Sequence, residues 1–260
     1  MRWSVAILAA LLLAGCQAIT RGIDETHGWS AARLYAEARN EMNGRNWERA
    51  LRLYRLIESR FPYGRYAQQA MLESAYVHWR DNEPAQALAT VDRFLKLYPT
   101  NPHVDYALYL KGRISFNDEL GFIGQFLNTD VSERDPRGAR EAFDAFRELV
   151  TRFPDSRYAP DAAARMKFLV NMMATSEINV ARFYYRRGAF VAAVNRAQFA
   201  LTTYPQAPAN EEGLAIMIRA YERLGLTELR NDAERVMKQN FPNSLYFKGL
   251  TPERPWWRPW

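Results

Sequence analysis

Residues 47–62 read Trp-Glu-Arg-Ala-Leu-Arg-Leu-Tyr-Arg-Leu-Ile-Glu-Ser-Arg-Phe-Pro, and the rest of the chain can be read outward from them. Trp47, Ala50, Tyr54, Ile57 and Phe61 fall at i, i+3, i+7, i+10 and i+14, one face of an amphipathic helix that Pro62 then stops. The same column returns as Pro84, Ala87, Val91, Phe94, Tyr98, then as Ala139, Ala142, Phe146, Leu149, Phe153, then as Phe190, Ala193, Ala197, Ala200, Tyr204. Each ends on an aromatic-proline pair: Phe61-Pro62, Tyr98-Pro99, Phe153-Pro154, Tyr204-Pro205 and, for a fifth unit, Phe241-Pro242. The fifth column fits with a one-residue shift, as Leu226, Leu229, Ala233 and Val236, the kind of degradation expected where an array stops.

A second helix precedes each of these. Leu34, Ala38 and Met42 make one stripe, Leu72, Ala75, Tyr76 and Trp79 another, and Leu214, Met217, Tyr221 and Leu224 a third. Short turns join the pairs at Gly44-Arg45-Asn46, Asp81-Asn82-Glu83, Arg187-Gly188 and Leu224-Gly225. A helix-turn-helix unit of about 34 residues, with alanines at the crossings and a closing proline, resembles the tetratricopeptide repeat. The expected fold is all-α: a tetratricopeptide-repeat solenoid of five repeats and about ten helices.

Two places break the period. Residues 117–134 are an excess stretch with Gly121, Gly124, Phe122 and Phe126, closed by Asp135-Pro136, which reads as an N-cap and first helical residue. Its readings are a solvated loop or an apolar loop laid on the repeat surface. Asp161 to Arg187 contains neither glycine nor proline; as one helix it would be about 40 Å long and would join the two halves rigidly.

The composition is that of a globular chain: 260 residues, 48% hydrophobic, 25% charged, with 13 glycines and 13 prolines. This excludes disordered, collagen-like and polytopic membrane proteins. Lys and Arg number 35 against 29 Asp and Glu, and a net charge of +6 is no argument for nucleic acid. The run Arg182-Phe183-Tyr184-Tyr185-Arg186-Arg187 interleaves arginines and aromatics, but it reads as core plus solvated arginines. One cysteine rules out an intramolecular disulfide, and His27, His78 and His103 are scattered, so no metal site is expected. No nucleophile elbow, phosphate loop or zinc-protease motif is present, and carboxylates such as Glu48, Glu141 and Glu234 fall on polar helix faces. No catalytic residues are assigned.

Arg2 followed by the apolar run Val5–Ala14 matches a secretory signal, ten residues being half of what a membrane-spanning helix needs. Leu13-Ala14-Gly15-Cys16 resembles the lipobox of bacterial lipoproteins: small residues pass a narrow protease, and the Cys16 thiol accepts diacylglycerol. The sole cysteine of the chain stands at this point. Cleavage would remove fifteen residues, of which only Arg2 is charged, leaving 245 with a net charge of +5. Gln17 after the cysteine favours outer-membrane sorting by the lipoprotein pattern.

The chain is then organised as signal peptide (1–15), acylated cysteine and polar tether (16–28), repeats one to three with the 117–134 insertion (29–154), repeats four and five (155–250), and a Pro/Trp tail (251–260).

More specific segments carry a closer likeness. Arg60-Phe61-Pro62-Tyr63-Gly64 with Tyr66-Ala67-Gln68-Gln69, then DRFLKLYPTNPHVDYALYLKG (92–112), ERDPRGAREAFDAF (133–146) and VARFYYRRGAFVAAVNR (180–196), resemble the BamD (ComL) family of outer-membrane β-barrel assembly lipoproteins. The resemblance runs from Cys16 to about Arg196 and is weak in the fifth repeat and the tail. It implies a non-enzymatic subunit of the barrel assembly machine, lipid-anchored on the periplasmic face of the outer membrane. It implies contact with the BamA-type barrel protein through its last POTRA domain, with accessory assembly lipoproteins and with unfolded outer-membrane proteins. Cofactors would be none beyond the covalent diacylglycerol and N-acyl chain on Cys16, and nucleic acid would play no part.

Alternating aromatics of unfolded barrel strands would suit a pocket at Phe61, Tyr63, Tyr66 and Gln69, for which inter-repeat packing is the plainer explanation. Arg196, one residue off the Ala193–Ala197–Ala200 stripe and about 100° from Ala197, is the implied contact to BamA, able to pair with a partner carboxylate. The rival class is a lipoprotein repeat adaptor for cell-wall or division proteins; a periplasmic hydrolase would need a catalytic cluster.

Overall fold

In the computed structural model, residues 25–116 and 136–248 are described. Cys16 and its lipobox, the 117–134 insertion with Asp135, and the 251–260 tail lie outside them. The described residues form ten α-helices: α1 (Ala31–Asn43), α2 (Trp47–Arg60), α3 (Arg65–Arg80), α4 (Pro84–Leu97), α5 (Val104–Ser115), α6 (Pro136–Arg152), α7 (Ala159–Arg186), α8 (Phe190–Thr203), α9 (Asn210–Arg223) and α10 (Thr227–Asn240), with a short 3₁₀ turn at Leu245–Lys248. The fold is all-α, in sequential antiparallel helix pairs, as the repeat pattern expects. The chain divides into two compact units, Met1–Thr90 and Val91–Trp260, with the boundary inside α4.

The repeated column is the buried one. Ala50, Tyr54 and Ile57 are wholly buried, and so are Ala87, Val91, Phe94, then Ala142, Phe146, Leu149, then Ala193, Ala197, Ala200. Removing such side chains from water stabilises by about 1.5–3 kcal/mol for each large one. Within a pair, four turns share one device. Arg45, Asn82, Gly188 and Gly225 each adopt φ between 61° and 75°, always two residues before the second helix begins. The residue that follows donates its N–H to a carbonyl five back: Asn46 to Glu41, Glu83 to His78, Ala189 to Tyr184 and Leu226 to Tyr221, at 2.8–3.0 Å.

Between pairs, the proline works through its predecessor, which it keeps out of the helical region. Phe61, Tyr204 and Phe241 have φ near −130° and ψ of 53–62°, and each still donates its N–H to the residue four back.

In the first unit, α2 packs against α1 and α3, and α1 against α3. In the second, α6 packs on α5 and α7, and α8 on α7 and α9, with α9 also meeting α7 and α10. The glycine-free run is one continuous 28-residue helix, about 42 Å long, and by packing on α6, α8 and α9 it ties the third pair to the fourth and fifth. At Gly112 of α5 there is no room for a Cβ, which would lie 2.4 Å from a ring carbon of Phe146.

The last helix departs from the expected stripe. Ala233 and Met237 are its buried residues, whereas Leu226, Leu229 and Val236 are 43%, 45% and 39% exposed. Among the described residues the helix α10 packs on is α9, with Tyr246 of the 3₁₀ turn against the same cluster as Met237. One covered face therefore takes one row of side chains, and the neighbouring apolar row stays half in water.

Candidate functional site

The expected pocket residues lie on the turn from α2 to α3 and on the first turns of α3. Pro62 bends the chain after Phe61, whose carbonyl accepts the Gly64 N–H at 3.1 Å, and α3 starts at Arg65. This puts Phe61 and Tyr66, both partly buried, against the hydrophobic core of the first unit. Tyr63, at the tip of the turn, is 98% exposed. Gln69 is one turn along α3 from Tyr66 and half-buried. The structure thus separates one solvent-standing tyrosine from two aromatics packed on the core and a half-buried glutamine.

Four further side chains, Tyr35, Arg39, Arg65 and Glu73, surround Tyr66. The Tyr35 ring of α1 stands 5.5 Å from the ring of Tyr66 and 6.1 Å from that of buried Tyr54. Its hydroxyl donates to Glu73 Oε1 at 3.2 Å. Burial, then the Glu73 charge, push the Tyr35 hydroxyl up to about 12, with Arg39 partly opposing, so it remains a donor at neutral pH. Burial also pushes the Glu73 carboxyl above its ordinary value, against the pull of Arg39 and of the Tyr35 hydrogen bond. Arg65 lies over the face of Tyr66, 5.0 Å from its centroid, and donates to the Tyr66 hydroxyl at 3.2 Å.

The result is an aromatic shelf rimmed by two guanidiniums and one half-buried carboxylate, suited to a flat side chain with polar main chain beside it. The spacing could have found these residues: Tyr66, Gln69 and Glu73 are at i, i+3 and i+7, and Tyr35 and Arg39 at i and i+4.

The other expected contact, Arg196, is on α8 with its side chain 48% exposed, one residue from the buried Ala197. Its Nη1 already has a carboxylate, Glu177 Oε2 of α7 at 3.1 Å. Glu177 is 17% exposed, so an incoming acidic group must compete with it. A residue expected to be solvated is not: Arg182 donates through Nε and Nη2 to both oxygens of Glu212, pinning α7 to α9. The position of Glu212, thirty residues on, is invisible to local pattern. Tyr184 and Tyr185 pack on the core of this region and Phe183 is half exposed.

Among the described residues no group of three or more His, Cys, Asp or Glu is placed to hold a metal ion, and no helix is long and apolar enough to cross a membrane. His78 pairs with Glu83, at 2.6 Å.

Residues 28–236 match the family model for YfiO, described as an outer membrane lipoprotein. Among characterised relatives, the outer membrane protein assembly factor BamD of Neisseria meningitidis serogroup B (strain MC58) is 47% identical over 237 residues, covering 90% of this chain and 89% of its own. BamD of Xylella fastidiosa (strain Temecula1) is 35% identical over 246 residues, 95% of this chain and 84% of its own. BamD of Vibrio cholerae serotype O1 is 34% identical, over 90% and 96%. Of solved structures, MamA aligns over 86% of this chain at 14% identity with a TM-score of 0.33. A putative kinesin light chain with TPR-like repeats aligns over 81% at 13% with 0.35.

Proposed function

The chain belongs to the YfiO/BamD family of outer membrane protein assembly factors, and from that premise we propose that it binds unfolded barrel precursors at the α1–α3 junction and bridges them to the central barrel protein. It is a non-enzymatic outer-membrane lipoprotein. In this reading Cys16 carries the diacylglycerol and N-acyl chains; three chains anchor firmly where one would hold only marginally. Phe61, Tyr66 and Gln69, with Tyr35, Arg39 and Glu73, receive aromatic-bearing segments of precursors, and Tyr63 meets them first from solvent. Arg196 contacts the POTRA domain of the BamA-type protein, exchanging Glu177 for a partner carboxylate. Accessory assembly lipoproteins complete the complex.

The observation that carries the reading is the half-open aromatic shelf itself. Tyr35 and Tyr66 are held by core packing on one side and stay accessible on the other, with their hydroxyls already engaged.

Photocrosslinking residues placed at Tyr63 and Arg196 in cells test the division. Capture of barrel precursors is expected from position 63 and of the central barrel protein from position 196. Precursor crosslinks confined to repeats four and five would refute the assignment.

A further inference from the structure

The chain contains the α1–α3 shelf twice. Phe61-Pro62-Tyr63-Gly64-Arg65-Tyr66-Ala67 has a counterpart in Phe153-Pro154-Asp155-Ser156-Arg157-Tyr158-Ala159, the same Phe-Pro-x-x-Arg-Tyr-Ala frame at the entry to α7. Around it the second unit rebuilds the three-ring stack and adds a fourth ring, Tyr106, 5.5 Å from Tyr158. Tyr109 of α5 stands 4.8 Å from Tyr158 and 6.1 Å from buried Phe146, where Tyr35 stands 5.5 Å from Tyr66 and 6.1 Å from buried Tyr54. The interplanar angles to the buried ring are 53° and 55°.

Sequence offsets agree. Tyr35 to Tyr66 is 31 residues and Tyr109 to Tyr158 is 49, a difference of 18, which is the length of the 117–134 insertion.

The polar rim is repeated as well. Arg157 lies 4.7 Å over the Tyr158 ring and donates to its hydroxyl, as Arg65 does to Tyr66. The Tyr109 hydroxyl donates to a carboxylate of the next odd-numbered helix, Asp161 at 2.7 Å, as Tyr35 does to Glu73. Arg113 donates to the Tyr109 hydroxyl at 3.3 Å, one turn on, in the position Arg39 holds relative to Tyr35. Each rim has one more guanidinium than carboxylate: Arg39 and Arg65 against Glu73, and Arg113, Arg157 and Arg165 against Asp105 and Asp161.

We propose that the α5–α7 junction, at Tyr109, Tyr158 and Arg157, is a second binding site for extended, aromatic-bearing segments of unfolded chains. Tyr109 and Tyr158 are half-buried and Arg157 is exposed, so an incoming ring can take the place of Arg157 over Tyr158, and the surplus positive charge favours an aromatic with a neutral or acidic neighbour over one beside lysine or arginine. Chemistry of this kind is indifferent to which aromatic residue it meets, so one site type serves many precursors. Two such sites on one chain let a single precursor with several aromatic strands be held more tightly than either site alone would hold it. The proposal rests on the reading of the α1–α3 junction as a substrate site.

The test is stoichiometric. A fluorescein-labelled twelve-residue peptide with alternating aromatic and polar residues, one of them Asp, is titrated into the full-length lipidated protein in detergent. Wild type is expected to bind two equivalents, Tyr66→Ala one, Tyr158→Ala one, and the double variant none. A photocrosslinking residue replacing solvent-exposed Arg157 is expected to capture the peptide, and this arm decides the matter if Tyr158→Ala fails to fold by circular dichroism.

Unchanged stoichiometry in folded Tyr158→Ala, or no capture at 157, overturns the second site. If Tyr66→Ala then still abolishes binding, the first-site reading survives. Loss of binding confined to Tyr158→Ala removes the first site and leaves the second. No binding of the peptide to wild type overturns both.

Discussion

The first and second junctions share three ring positions and two arginines, the second adding Tyr106 and Arg165, but differ in the carboxylate between them. Glu73 lies seven residues beyond its tyrosine and Asp161 three beyond, so that Gln69 and Asp161 hold corresponding positions, as do Glu73 and Arg165. At the first junction burial outweighs Arg39 and Tyr35, and the Glu73 carboxyl titrates above its ordinary value. At the second, burial again pushes up, but Asp161 is more open and accepts from both Arg165 Nε at 2.6 Å and Tyr109, and the balance falls below its ordinary value. One scaffold therefore supports two opposite titrations, because the helical turn that carries the acid decides whether burial or its arginine and tyrosine partners prevail. The second junction also differs behind its shelf. Position 112, three after Tyr109, is glycine, whereas position 38, three after Tyr35, is alanine.

The largest expected effect tests whether the two ring stacks are equivalent. Tyr54→Ala and Phe146→Ala each remove a wholly buried ring and should cost about 3–5 kcal/mol, read as a loss of denaturation midpoint. A markedly smaller loss for one of them would break the equivalence.

Next comes the helix crossing behind each stack. Gly112→Ala should destabilise by about 1–3 kcal/mol in spite of better helix propensity, since the fully buried Phe146 ring cannot withdraw from the added Cβ. Ala38→Gly should cost about 1 kcal/mol through propensity alone. Equal melting temperatures for Gly112→Ala and wild type would show that the ring does move.

The smallest effect is in pH dependence. Glu73 binds its proton more tightly folded than unfolded, so its contribution is full below the ordinary carboxylate value of 4.5 and lost as pH rises through the elevated folded value. Asp161 contributes above its ordinary value of 3.8 and loses that contribution as pH falls through the depressed one. Glu73→Gln should accordingly melt higher than wild type at neutral pH, the gain vanishing in acid. Asp161→Asn should melt lower at neutral pH, with that difference vanishing in acid. Thermal melts of both variants from pH 3 to 8 check the signs, and parallel curves for the two would mean that the acids are not in opposite environments.

How far the sequence could be read depended on the range of the interaction concerned. The column Ala50-Tyr54-Ile57 and its repeats announced helices, their buried face and their ends, because 3.6-residue periodicity and a proline stop act within a few residues of one another. The same reasoning held for Ala233 on α10 but missed buried Met237 and put half-exposed Leu226, Leu229 and Val236 on the covered side, since which of two apolar rows is covered depends on the neighbouring helix. At the α2–α3 turn it grouped Phe61 and Tyr66, which pack on the core, with Tyr63, which the turn directs into solvent.

Periodicity says which side of a helix is buried; it is silent on which helix lies across from it. The partners Tyr35–Glu73, Tyr109–Asp161 and Arg196–Glu177 are 38, 52 and 19 residues apart, and only packing brings them within hydrogen-bond distance. Amino-acid order alone thus determined the helices, their stops and the family. The tertiary structure decided which polar groups meet, and with them the sign of each carboxylate's titration and the recurrence of the shelf, because a side chain's partner and its access to water are properties of the surface facing it.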